Sequence, residues 1–198
     1  MVERVKDLLL RSTDAMTSAP EFMRISENPI RVAVIQPPSK EGVQSLLSHV
    51  DNDSGEGIGN KPPLGVLSVA SIIKAWSPHH VRVIDAQATG LNIEEIVAEL
   101  EEFKPEVIGL SVWTDFWYPA YRLAQEIRTA CPEAHISMGG PHLGIYPTET
   151  LATGVTDSVI VGDGEIPFLY LCNMVSNGLM NNSFPGLHLA DEGVKTGG

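Results

Sequence analysis

From Ile30 onward the chain alternates short β-branched apolar runs with stretches whose apolar residues recur every three to four positions. The runs Arg31–Gln36, Val81–Asp85, Glu106–Val112, His135–Met138 and Asp157–Val161 read as strands. The intervening Leu64–Trp76, Ile93–Phe103, Pro119–Ala130, Pro147–Ala152 and Ile166–Asn177 read as helices. Strict alternation of the two predicts an α/β domain with a doubly wound, five-stranded parallel sheet covered on both faces. The near-continuous apolarity of VAVI, VIGLSV and SVIV fits strands buried on both sides.

The two ends of such a sheet are unequal here. The segments after the strands are long or rich in Gly and Pro: residues 37–63, DAQATGLN, TDFWYP, GGPHLGIYP and GDGEIP. The turns at the opposite end (SPHH, FKPE, CPEA, GVTD) are short. Open α/β sheets bind ligands beyond the carboxyl ends of their strands, so a site is expected at that rim. A connection as long as 37–63 is more than a strand-to-helix link needs. Residues 1–29 read as a helix from Val2 to about Leu10 followed by a polar connector. The remaining boundaries fall as a core domain over 30–180 and a tail or linker start over 181–198.

Charge narrows the class of partner. Thirteen Lys and Arg against 25 Asp and Glu give a net charge of −12, which argues against nucleic acid. Hydrophobic residues make up 43% of the chain, enough for a core, yet no apolar run approaches the ~20 residues of a membrane span. The first residues mix both charges and lack the apolar stretch of a signal peptide, so a cytoplasmic location is expected. Cys131 and Cys172 are too few for a disulfide framework, a four-cysteine zinc site or an iron–sulfur cluster. Any metal or redox chemistry must come with a bound cofactor or a partner.

Several constellations sit at the expected rim. Gly139 and Gly140 follow the strand HISM, where a glycine pair lets the backbone approach a flat ligand or simply turn. Ser111 and Thr114 lie at the end of VIGLSV, where their hydroxyls can meet a ligand or cap their own loop. Trp113, Phe116, Trp117 and Tyr118 crowd the same place. Gly162, Asp163, Gly164 and Glu165 open the last helix. Asp85 ends the second strand, placed to bind or to cap. No P-loop motif is present, and no G-x-G-x-x-G follows the first strand, so nucleotide hydrolysis and dinucleotide binding lack support.

Taken together, PPLGVLSVASIIKA, VRVIDAQATG, PEVIGLSV, CPEAHISMGGPH and VIVGDGEIPF resemble the cobalamin (vitamin B12)-binding domain in order and spacing. The likeness is to the version fused N-terminally to cobalamin-dependent radical SAM enzymes, and it covers about residues 30–170. It implies a flavodoxin-like (Rossmann-type) fold. It further implies cofactor contacts from Pro63, Leu64, Gly65, Asp85, Ala86, Gln87, Ser111, Val112 and Thr114. The same holds for Gly139, Gly140, Pro141, His142, Gly162, Asp163, Gly164 and Glu165. In that resemblance the glycine pair would let the dimethylbenzimidazole tail slot between strands, Ser111 and Thr114 would hydrogen-bond the nucleotide loop, and Gly162, Gly164 and Glu165 would line the far wall of the tail pocket. Bulk at Gly140 should then abolish uptake while leaving the chain folded.

The wider family, methionine synthase included, carries D-x-H-x-x-G after its first strand. DAQATG mimics that motif but follows the second strand; counted back from Ser111, the motif falls on 60–65, with Pro62 in place of the histidine. Proline offers no side-chain donor to a metal, whereas histidine is a common ligand. The resemblance therefore implies cobalamin bound with its tail off the cobalt and no histidine below it; His49 is the one histidine in the long loop. No C-x-x-x-C-x-x-C site is present to hold a cluster, so no metal ligands and no catalytic constellation are assigned to this chain. The expected role is a non-catalytic cobalamin module serving a radical SAM, methyltransferase-type partner or further domain. A corrinoid-dependent sensor and a flavodoxin-like interaction domain without cofactor are the alternatives.

Overall fold

The computed structural model describes residues 28–38, 62–180 and 184–190. The expected helix at the N-terminus, His49 and most of the long 37–63 connection lie outside the described residues. Within them the chain runs β1 (Arg31–Gln36), α1 (Leu64–Trp76), β2 (His80–Asp85), the short α2 (Ala86–Thr89), α3 (Ile93–Phe103) and β3 (Val107–Ser111). It continues through α4 (Trp117–Ala130), β4 (His135–Gly139), α5 (Pro147–Ala152), β5 (Ser158–Ile160), α6 (Glu165–Ser176) and β6 (Leu187–Leu189). Single 3-10 turns at Thr114–Phe116 and Pro141–Gly144 follow β3 and β4.

The strand order is β2-β1-β3-β4-β5-β6. β1 to β5 pair in parallel, as the strand–helix alternation predicts. The sheet nevertheless has six strands: β6 adds antiparallel to β5 at the edge. Its three residues carry too little periodicity to be read from sequence, and they fall in the stretch expected to be tail. Gly186 enters this strand with φ +82, and a Cβ there would lie 2.6 Å from the Val161 carbonyl oxygen.

Alternation along β1 explains the two covered faces. Ala33 and Ile35 join Ile96, Leu100, Leu123 and Ile127 in the core under α3 and α4. Val32 and Val34 point the other way, into the core under α1 and α6 with Ile73, Phe168 and Leu171. Local signals fix where helices start: Asn92 caps α3 through a reciprocal box with Glu95, satisfying two otherwise orphaned backbone donors. The order reverses between β1 and β3, so the crevice of an open α/β sheet belongs at their carboxyl ends.

Candidate functional site

A cavity of about 210 Å³ opens at that place. It lies on the α1–α6 face, floored by β3 and β4 and walled by Val34, Val66, Val69, Ile160 and Phe168. The floor is built from small residues in register: Ser111 pairs with Gly139 near the rim, and Gly109 with Ser137 two residues further in. On the opposite face of the same strands Ile108, Leu110, Ile136 and Met138 are fully packed. The absence of bulk is thus confined to the side that faces the cavity.

Two glycines hold the floor for different reasons. A Cβ on Gly109 would meet the Phe168 ring at 2.6 Å, whereas one on Gly139 would meet nothing closer than Ile160 Cβ at 3.9 Å. Gly139 therefore leaves room that belongs to the cavity, and Gly109 accommodates the wall. Gly140 is different again. Its φ is +106, and a Cβ would lie 2.8 Å from the Val112 carbonyl oxygen. The backbone turn itself requires glycine there, so bulk at Gly140 strains the fold and does not test the cavity alone. A variant with bulk at Gly140 is therefore expected to lose stability as well as cavity space.

Overhead, the N-termini of α1 and α6 close together. Ser68 Oγ donates to Glu165 Oε1 at 2.6 Å, and the Gly164 Cβ position would touch Val69 Cγ2 at 3.4 Å. Gly65, Gly162, Asp163, Gly164 and Glu165 accordingly line the cavity with Ser111, Gly139 and Gly140. These eight are the sequence-derived candidates that the fold brings together.

The other nine lie elsewhere. Pro63 occupies the N-cap position of α1, and Leu64 is exposed beside it. Asp85 accepts a hydrogen bond from the Ala88 amide and so caps α2, while Ala86 is buried in the core of the opposite face. Gln87 donates from Nε2 to the Pro37 carbonyl at 3.1 Å. Val112 is fully buried, its amide donating to Gly139 and its carbonyl accepting from the His142 amide. Pro141 and Thr114 are exposed at the rim. His142 stacks on Trp117 at 4.6 Å and tilts against Tyr146, with Nδ1 3.4 Å from Thr114 Oγ1. Burial pushes its pKa down, against an opposing effect of Glu149.

Sequence reasoning missed Gly109, Ser137 and Phe168. A period-two count from Ser111 and Gly139 would have reached Gly109 and Ser137 on the same face; Phe168 comes to the site only through helix packing. Ser137 is 1% exposed, and no described residue hydrogen-bonds its hydroxyl.

Chemically, the cavity offers apolar walls, a glycine-and-serine floor and one unpaired buried hydroxyl. That combination fits a flat aromatic ring carrying few polar groups. Its volume is below the ~300–1,000 Å³ of pockets that enclose a whole drug-sized ligand, so it suits the end of a larger molecule. Among the described residues, no group of three or more His, Cys, Asp or Glu could hold a metal ion, and no helix is long and apolar enough to cross a membrane.

The family model described as the B12 binding domain matches residues 59–171. An uncharacterized methyltransferase of Pyrococcus horikoshii is 27% identical over 83% of this chain and 33% of its own length. The anaerobic magnesium-protoporphyrin IX monomethyl ester cyclase of Rubrivivax gelatinosus is 29% identical over 67% of this chain and 24% of its own. The chain therefore spans a third or less of these two relatives. Among solved structures, the radical S-adenosylmethionine methyltransferase TsrM from Kitasatospora setae superposes with a TM-score of 0.66 at 16% identity. That match covers 82% of this chain and 28% of TsrM. The cobalamin-dependent S-adenosylmethionine radical enzyme OxsB, with aqua-cobalamin bound, gives 0.66 at 17% identity, covering 87% and 22%.

Proposed function

The chain belongs to the B12-binding domain family, and from that premise we propose that it is the cobalamin-carrying module of a radical SAM, methyltransferase-type system. In this role the nucleotide tail of cobalamin is drawn off the cobalt and its base occupies the cavity beneath α1 and α6. The observation that carries this is the in-register floor of Gly109, Ser111, Ser137 and Gly139. It is bare of bulk on one face of an otherwise fully packed sheet. Ser111 at the mouth is placed to hydrogen-bond the base, and Gly139 lets the ring lie against the strand. The bound corrinoid would supply a cobalt centre able to receive and hand on a methyl group.

A lower face without histidine has two supports. Pro62 stands where the wider family's motif places its ligand. Of the described histidines, none lines the cavity: His79, His80 and His135 lie at the amino ends of β2 and β4, and His188 lies in β6. His142 is held between the rings of Trp117 and Tyr146. The cysteines support an outside source for any cluster. Cys131 packs against the core under α3 and α4, whereas Cys172 is buried in the core under α1 and α6. Burial holds both thiols above their ordinary pKa, Cys172 far above, which disfavours the thiolates that ligate iron.

The test is to add hydroxocobalamin to the purified chain, remove the excess, and reduce the bound cobalt to the divalent state. A retained corrinoid spectrum is expected, with electron paramagnetic resonance lines lacking the threefold splitting that a nitrogen ligand imposes. A colourless protein would overturn the proposal; a split spectrum would overturn the reading in which neither the tail base nor a histidine ligates the cobalt.

A further inference from the structure

The floor of the cavity has a polar atom where an apolar ligand edge would leave it stranded. Ser137 lies two residues deeper along β4 than Gly139, opposite Gly109, and so about 7 Å further from the mouth. Ser137 lines the cavity, and its buried hydroxyl has no hydrogen-bond partner among the described residues. The surrounding wall of Val34, Ile160 and the Phe168 ring is hydrocarbon. A buried hydroxyl left dry changes an equilibrium by about tenfold against the state that strands it. A site built around such a group discriminates sharply between ligands that do and do not satisfy it.

The dimethylbenzimidazole of cobalamin presents two methyl groups at the edge remote from its ribose. A base that enters from the rim brings that edge to the deep end, against Ser137, where methyls can neither donate nor accept a hydrogen bond. We propose that Ser137 is a specificity-determining residue for the lower base. The site prefers a cobamide whose base carries a hydrogen-bonding group on its outer edge, such as hydroxybenzimidazole, over cobalamin itself. The inference rests on the tail-in-cavity reading above and adds to it the chemical class of base.

The experiment titrates the full chain, freed of corrinoid, with cobalamin and separately with 5-hydroxybenzimidazolyl cobamide, both bearing water as the upper ligand, and measures Kd by calorimetry. The hydroxylated cobamide should bind at least about fivefold more tightly. Ser137→Ala should erase the difference, by tightening cobalamin and weakening the hydroxylated form. Equal affinities in the native chain, or a preference that survives Ser137→Ala, would overturn the inference while leaving the cobalamin module intact. Failure of the native chain to bind either compound would overturn both. The native-chain comparison stands whether or not the variant folds.

Discussion

Gly109 of β3 and Phe168 of α6 are matched so closely that a single Cβ on the glycine would lie 2.6 Å from the ring's Cζ. The ring is 4% exposed, locked in the core beneath α1 and α6. Gly109→Ala must therefore displace the ring, and the cavity that the ring lines offers slack beside it. The variant should lose about 1–3 kcal/mol of stability and bind cobalamin more weakly. Urea unfolding and corrinoid titration of the variant read the two effects, and unchanged values in both would show that the ring has room to spare.

The adjacent glycines should respond oppositely. Gly139→Leu sets its Cβ no closer than 3.9 Å to Ile160 and directs the rest of the side chain to the cavity that Gly139 lines, so folding should be kept to within about 1 kcal/mol while cobalamin binding is lost. Gly140→Ala forces a side chain onto φ +106 and against the Val112 carbonyl. It should cost about 2–3 kcal/mol of stability for that reason alone. Thermal melts alongside corrinoid uptake separate the pair; an intact binding site in Gly139→Leu would refute the placement of the base.

The Ser68–Glu165 hydrogen bond ties α1 to α6 above the cavity. Both side chains are partly exposed, so Ser68→Ala should lower stability by only about 1 kcal/mol. Its larger effect should fall on ligand dissociation, since the bond holds Glu165, which lines the cavity. Stopped-flow displacement of bound cobalamin should show faster release, and an unchanged off-rate would place the roof outside the release path.

Acid should weaken the fold through His79. Its Nδ1 accepts from the Ile30 amide and its Nε2 faces Asn173 Oδ1 at 3.1 Å, so the ring is neutral with the proton on Nε2. Burial lowers its pKa below 6.5; His80 acts in the same sense, while the Asn173 hydrogen bond and Glu106 oppose it. The unfolded chain then takes up a proton at a pH where the folded chain does not. This contribution is fully present above pH 6.5 and is lost as pH falls toward the folded-state value. Buried His142, whose pKa is also lowered, adds in the same direction. Urea midpoints at pH 7.5 and 5.5 should differ more for the native chain than for His79→Gln. An equal drop in both would remove His79 as a cause.

Much of the frame was legible because it is written locally. The bounds of Leu64–Trp76, Ile93–Phe103 and Pro147–Ala152 agree with sequence periodicity to the residue, since caps and prolines fix helix ends within a few positions. The glycine pair after β4 lines the cavity, whereas none of the aromatic residues crowded after β3 does. The resemblance also implies cofactor contacts from Asp85, Ala86, Gln87 and His142; none of the four lines the cavity, since capping, backbone, core and ring contacts hold them where they are. β6 escaped notice because three residues gain strand character only from the partner they pair with.

The sequence by itself determined an alternating α/β chain, the loop-rich rim where open sheets of this kind take ligands and the B12-binding likeness, because periodicity and motif order are properties of the chain alone. Only the tertiary structure decided which small residues form the floor, that Phe168 walls it, that the Ser68–Glu165 bond joins α1 to α6, and that Gly140 serves the backbone. Those outcomes depend on which strands are neighbours and which helix lies over them. Packing sets them, and no local run of residues encodes them.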